Sequence, residues 1–143
     1  MRAICRSKVQ NMAKIYKYII RIPPITKKNS QRILINQKTR KPFIAQSAAY
    51  KRYEAAALCL LYPKPIKPLE GRYRVATVFY MPTRRRTDLT NLIEAAHDVL
   101  VAGKIIADDN YTIIASVDGS RVLYDKSNPR TEIFIEEMED ETT

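Results

Sequence analysis

With 143 residues and a net charge of +10 at pH 7, the chain fits one domain, and a domain of this size buries roughly 70% of the surface its unfolded form exposes. Its apolar runs are short and interrupted, far below the roughly 20 residues that span a bilayer, and no cleavable signal pattern follows the N-terminus. Cys5 and Cys59 show no Cys-x-x-Cys spacing, which suggests neither a zinc site nor a disulfide framework and suits a soluble protein of a reducing cytoplasm.

Residues 1 to 11 carry no periodicity and precede Met12, so they are expected to form a disordered leader ahead of a domain spanning 12 to 137. From Ile15 to Ile22 the segment IYKYIIRI is rich in β-branched and aromatic residues and stops at Pro23-Pro24, which predicts a first strand. A basic loop follows, and RILINQ, Arg32 to Gln37, predicts a second strand closed by the turn-like KTRKP. Between Ser47 and Tyr62, the residues Ala49, Tyr50, Tyr53, Ala56, Ala57, Leu60 and Leu61 recur at helical spacing. Ser47 offers an N-cap and Pro63 a stop.

After the Pro-rich connector 63–68, Arg72 to Met81 alternates as a third strand that ends at Pro82. A basic loop, Thr83 to Thr87, then leads into a second helix whose apolar stripe is Leu89, Leu92, Ile93, Ala96, Val99 and Leu100. Thr87 or Asp88 can cap its start, and Gly103 falls where a left-handed C′ residue belongs. Thr112 to Val117 predicts a strand, Asp118-Gly119 a hairpin turn, and Arg121 to Tyr124 and Thr131 to Glu136 further extended segments, before an acidic tail at 138–143. This succession of strands with two helices set among them predicts a single α+β domain, a mixed sheet with two main helices packed on it.

Charge is unevenly distributed. Residues 1 to 87 hold 21 Lys and Arg against Glu54 and Glu70, a net +19, whereas residues 88 to 143 hold 4 against 13 acids, a net −9. An uncompensated basic half is the footprint of a phosphate-backbone binder, because Lys and Arg gain affinity by releasing condensed counterions; a solvated basic surface is the plainer alternative. Arg84-Arg85-Arg86 is the foremost phosphate grip, since guanidinium groups donate bidentately to phosphate oxygens, and Lys27-Lys28 is a second.

The acids point to a metal. Glu94 centres the helix face opposite the apolar stripe, with Thr90 and Asn91 one turn before it and Asp98 one turn after; Asp88 stands at the helix start and Asp108-Asp109 just beyond its end. Singly, these read as an N-cap, a solvated i, i+4 pair and a turn. Together they are the oxygen-only ligands that suit Mg2+, with Mn2+ as a substitute. His97, at the edge of the polar face, reads as an ordinary surface residue. The tyrosines at 50, 53, 62, 73, 80, 111 and 124 offer stacking surfaces but fall mostly at core positions.

Asp88-Leu89-Thr90-Asn91, then Asp98-Val99-Leu100, then Ile106-Ala107-Asp108-Asp109, with Pro23-Pro24 and Asn29 upstream, resembles the RusA family of Holliday-junction resolvases over about Ile15 to Glu137. The resemblance implies a RusA-like fold, Mg2+-dependent cleavage of four-way junctions or related branched DNA, 5′-phosphate and 3′-hydroxyl products, and a homodimer. It carries Asp88 and Asp109 over as metal-binding catalytic aspartates and Asp108 as the neighbouring acid. Thr90 stands where the family often has a second aspartate, and Glu94 where it has a lysine. Glu94 is therefore expected to replace the missing carboxylate, one helical turn along, so that the resemblance implies Asp88, Glu94 and Asp109 as the set holding the ion, with Asp98 left outside it, and Lys27, Lys28 or Lys104 as the source of the positive charge. A junction-binding homologue that does not cleave, and a general nucleic-acid-binding module, are the competing readings.

Overall fold

A computed structural model describes residues 14–27 and 31–139. In chain order its elements are β1 (Ile15–Ile20), β2 (Gln31–Ile35), β3 (Pro42–Gln46), α1 (Ala48–Leu60), β4 (Tyr73–Met81), α2 (Leu89–Ala102), β5 (Ile114–Ser116), β6 (Arg121–Tyr124) and β7 (Arg130–Glu137). β4, buried at consecutive positions over most of its length, and β7 lie in the middle of the main sheet. β7 lies antiparallel between β1 and β4, while β5 and β6 follow one another along the far side of β4, both parallel to it. The fold is thus α+β, with a mixed sheet and two helices, as the element pattern predicts.

Period-two alternation divides the sheet into two faces. Tyr18 and Ile20 of β1, Ile133 and Ile135 of β7, and Tyr73 and Val75 of β4 turn inward and are buried against Tyr50, Tyr53 and Ala57 of α1 and Ala95, Val99 and Leu100 of α2. Phe79, Leu92 and Ala96 form a smaller cluster near the end of β4. Burying a large apolar side chain contributes about 1.5–3 kcal/mol, so these facing residues fix both helices on one face. The other face is held by long charged side chains: Arg74 pairs with Glu136, Arg130 stacks on Tyr80 at 3.6 Å and Lys17 lies over Phe134 at 5.3 Å.

Several sequence expectations are corrected. KTRKP does not simply close β2: Pro42–Gln46 is a further strand that pairs with β2 in a separate two-stranded ribbon. Asp118-Gly119 turns the chain, with Gly119 at φ +93°, but joins no hairpin, because β5 and β6 pair with β4 and run the same way. The α1 stripe is narrower than expected, since only Tyr50, Tyr53 and Ala57 of the helix are buried and Leu60 is 39% exposed. Gly103 is not left-handed; its φ is −80°, and Lys104 takes the positive φ of 59°. What Gly103 provides is closeness, because a Cβ there would lie 2.7 Å from Leu61 Cδ1 and 3.1 Å from the Val99 carbonyl oxygen. The expected leader at 1–11 lies outside the described residues, as does most of the acidic tail.

Candidate active site

Helix α2 carries the acids on one line. Its hydrogen-bond ladder opens with Leu92 N–H donating to the Asp88 carbonyl at 3.2 Å. The Asp88 side chain makes no capping bond; it accepts instead from Asn91 Nδ2 at 3.3 Å. Steps of three and four along an α-helix share a face, so Asn91, Glu94 and Asp98 form one polar stripe. Ten residues separate Asp88 from Asp98, about 15 Å along the axis, and Glu94 sits one turn, about 6 Å, from Asp98.

At the C-terminal end of that stripe a second segment closes in. Leu69 forms a parallel bridge with Ile106, donating to the Ile105 carbonyl at 2.9 Å and accepting from Ala107 N–H at 3.0 Å. This fixes the chain just before Asp108. Asp108 accepts from Asp109 N–H at 2.8 Å and from Asn110 Nδ2 at 2.9 Å, and these bonds, the backbone one foremost, lower its pKa and hold it ionised.

Between the two segments lies an open cleft of about 490 Å³ lined by Lys27, Glu54, Asp98, Val101, Ala102, Asp108 and Asp109. Lys27 Nζ pairs with Asp98 Oδ2 at 2.7 Å, with both side chains about a quarter exposed, and lies 5.7 Å from the centre of the Tyr50 ring. The Tyr50 hydroxyl is buried with no hydrogen-bond partner; burial, and then the charges of Glu54 and Asp98, raise its pKa strongly. His97 is buried rather than on the surface, its Nε2 unpartnered. Burial lowers its pKa against the opposing pull of Asp109 and Asp98.

The arginine run lies at the other end of α2. Arg84, Arg85 and Arg86 are exposed, and Arg84 stacks on Tyr124 at 4.3 Å above a shallow hollow shared with Arg85, Val122 and Leu123. Basic groups and an exposed ring therefore sit at the start of the helix whose far end bears the carboxylate cleft.

The family model for Endodeoxyribonuclease RusA matches residues 21–136. The chain belongs to the RusA endodeoxyribonuclease family. It has no match among curated proteins. Of the acids expected at the site, Asp108 and Asp109 lie in the cleft, whereas Asp88 and Glu94, the latter expected as a replacement carboxylate, are not among its lining residues. Among the described residues no three of His, Cys, Asp and Glu stand close enough to hold one ion between them. The donor chemistry still fits Mg2+, which keeps several waters and needs only one or two carboxylates beside phosphate oxygens; Asp98 and Asp109 share one cleft, and both are hard oxygen donors.

Sequence reasoning set Asp98 outside the ligand set and assigned Glu54 nothing, yet both line the cleft. The signal for Asp98 was present, since it shares a face with Glu94. Glu54 comes in through the packing of α1 against α2, which no local pattern reports. Lys27 is in the cleft, Lys104 is exposed and outside it, and Lys28 lies outside the described residues. No helix among the described residues is long and apolar enough to cross a membrane.

Proposed function

We propose that this RusA-family protein is a structure-selective endodeoxyribonuclease that cuts Holliday junctions or related branched DNA by Mg2+-dependent phosphodiester hydrolysis. The observation that carries this reading is the placement of a carboxylate cleft and an arginine loop at opposite ends of one helix. The separation of about 15 Å lets one DNA strand run along α2 with its phosphates held by Arg84, Arg85 and Arg86 and its backbone crossing the cleft. In the cleft Asp98 and Asp109 would hold the ion, with Asp108 beside them, while Glu94 and Asp88 extend the acid face toward the loop. The chemistry that Mg2+ supplies at such a site is a more acidic attacking water and compensation of the charge on the phosphate and the leaving 3′-oxygen.

The chain's own residues then orient the reacting groups. Asp108, kept ionised by Asp109 N–H and Asn110, accepts hydrogen bonds from water at the cleft. Attack forms the water-oxygen-to-phosphorus bond as the bond to the 3′-oxygen breaks, leaving a 5′-phosphate and a 3′-hydroxyl. Cutting two strands of a four-way junction symmetrically calls for two such sites related by a two-fold axis. The β2–β3 ribbon supports a homodimer: Ile33, Ile35 and Ile44 are 65–77% exposed, and a two-stranded ribbon is marginally stable without a covering surface. Cys59, a free thiol, suits action in a reducing cytoplasm.

Competition tests the reading. At about 0.15 M salt, where exposed charges are screened over roughly 8 Å, a four-way junction should displace the protein from linear duplex and from RNA, and with Mg2+ it should be nicked near the crossover. Equal affinity for all three nucleic acids contradicts junction selectivity. Tight junction binding without nicks in any divalent metal favours the non-cleaving homologue, for which Thr90 and Glu94 are the sequence grounds.

A further inference from the structure

Strand β6 contributes nothing to the core. All four of its residues are exposed, although Val122, Leu123 and Tyr124 are apolar or aromatic and stay 38–43% exposed. Apolar side chains scattered singly over a surface call for no explanation, but a contiguous set rimmed by charge marks a place where something binds. These three close one side of an open hollow of about 390 Å³, with Met81 at the end of β4 and Arg84 and Arg85 of the following loop on the other.

The sheet fixes the ring that stands in this hollow. Tyr124 lies opposite Met81 in the parallel β4–β6 ladder, and Asp125 N–H donates to the Met81 carbonyl at 2.9 Å. Arg84 lies over the ring, its guanidinium carbon 4.3 Å from the ring centre, and Tyr124 keeps its exposure with Arg84 in place. The neighbouring acid is engaged elsewhere: Asp125 pairs with Arg130 at 3.0 Å and does not line the hollow. Arg84 and Arg85 thus set a positive rim over an apolar floor that carries one flat ring.

That combination fits a nucleotide, which joins a flat base to an anionic phosphate. Unstacked bases pack on aromatic rings and on guanidinium planes. A bare phosphate leaves the apolar floor unused, and a purely apolar partner leaves both arginines uncompensated. Intact duplex does not present such a base, because its bases are stacked on one another, whereas a single strand or a branch point does.

We propose that the hollow at Arg84 and Tyr124 is a nucleotide subsite that takes one unstacked base of the DNA on the Tyr124 ring and the apolar floor, with the adjoining phosphate held by Arg85. It gives the chain a means of preferring branched DNA over linear duplex at a distance from the carboxylate cleft. The subsite rests on the branched-DNA reading for what presents the base, but not for the contact itself.

Binding measured without metal tests it. Fluorescence anisotropy in EDTA compares a mixed-sequence single strand of about 12 nucleotides, a blunt linear duplex and a four-way junction. Stacking of one base on an aromatic ring is worth about 1–3 kcal/mol, so Tyr124→Ala should weaken single-strand and junction binding roughly 5–150-fold and leave duplex binding unaffected. Tyr124→Phe should bind as wild type, Tyr124→Leu should lose affinity like Ala, and Tyr62→Ala, which removes an exposed ring elsewhere, should match wild type on all three. Arg85→Ala should lower the single-strand salt slope by roughly 0.7, the value for one phosphate, whereas Tyr124→Ala should keep the slope. Tyr124→Leu carries the test where the alanine variant folds poorly.

Wild-type affinity in Tyr124→Ala overturns the subsite, as does an equal loss on duplex or full retention in Tyr124→Leu. A fall in salt slope with Tyr124→Ala means that the ring only braces Arg84, and a change of oligomeric state in sedimentation means that β6 packs against a second copy; both overturn it too. An unchanged slope in Arg85→Ala overturns the assigned phosphate contact. A wild-type protein that cuts no junction in Mg2+ overturns the nuclease reading, and the metal-free affinities then decide the subsite on their own.

Discussion

Replacing Asp98 by Asn gives the sharpest separation between the cleft and the rest of the acid face. Asp98 shares the cleft with Asp109 and pairs with Lys27 at 2.7 Å, so on the proposed reading its charge would serve both ion and lysine. Transition-state stabilisation by a bound metal amounts to several kcal/mol, and each 1.36 kcal/mol is tenfold in rate. Asp98→Asn and Asp109→Asn should therefore each slow cleavage on the order of 10³-fold. Glu94, about 6 Å along the axis from Asp98 and outside the cleft, should support the ion only indirectly, with Glu94→Gln costing about 10–100-fold. Asp88, about 15 Å from Asp98, should cost less than about tenfold as Asn. The assay is single-turnover cleavage of a labelled four-way junction by excess protein across a Mg2+ titration, so that weakened ion binding appears as a shifted metal dependence. Melting temperatures check that rate losses are not losses of fold, since exposed substitutions usually change stability by under about 0.5 kcal/mol. If Asp88→Asn abolishes cleavage while Asp98→Asn remains near wild type, the ion is held at the helix start and the ranking by distance from the cleft is wrong.

Three further outcomes are expected. Changing Arg84, Arg85 and Arg86 together to Ala should reduce the salt slope of junction binding by roughly 0.9 for each phosphate that is no longer neutralised; an unchanged slope makes the run a solvated face. Gly103→Ala places a Cβ 2.7 Å from Leu61 Cδ1, and overpacking costs about 1–3 kcal/mol against a gain of about 0.4–1 kcal/mol from a stiffer unfolded chain. The net loss should lower the melting temperature by several degrees in a thermal scan, and an unchanged or raised value would mean that Leu61 moves aside freely. Introducing Glu at both Ile33 and Ile44 should convert a dimer to a monomer in sedimentation experiments, whereas a dimer that survives them lies elsewhere on the surface.

How much was legible in the sequence depended on whether the information was local. The α2 stripe, the Ser47 cap and the strands that alternate with period two are set by neighbours within a few residues, and they lie where the pattern puts them. β3 was missed because a short strand with Pro42 and exposed Phe43 and Ile44 has no buried face to produce alternation. Asp118-Gly119 has the composition of a hairpin turn, but the pairing of β5 and β6 with β4 is a tertiary choice that outweighs it. His97 falls at an angle where polar and apolar faces meet, and its burial is decided by tertiary packing rather than by local pattern. The candidate site shows the same division. Asp108, Asp109 and the arginine run stand out as sequence features, while Lys27, Glu54 and Asp98 come together from three separate segments. Gly103 is legible as a helix terminator, but its role in letting Leu61 approach α2 depends on a contact distance.

Hydrolysis of branched DNA through a metal held by the cleft carboxylates is tested most directly by comparing wild type with Asp109→Asn on one labelled four-way junction, in Mg2+, in Mn2+ and in EDTA. Wild type should nick the junction near its crossover with either metal and leave it intact in EDTA. Asp109→Asn should bind as tightly or more tightly, because it removes negative charge facing phosphate, and should leave the junction uncut in both metals. Cleavage by Asp109→Asn at the wild-type rate, or cleavage by wild type in EDTA, contradicts the claim.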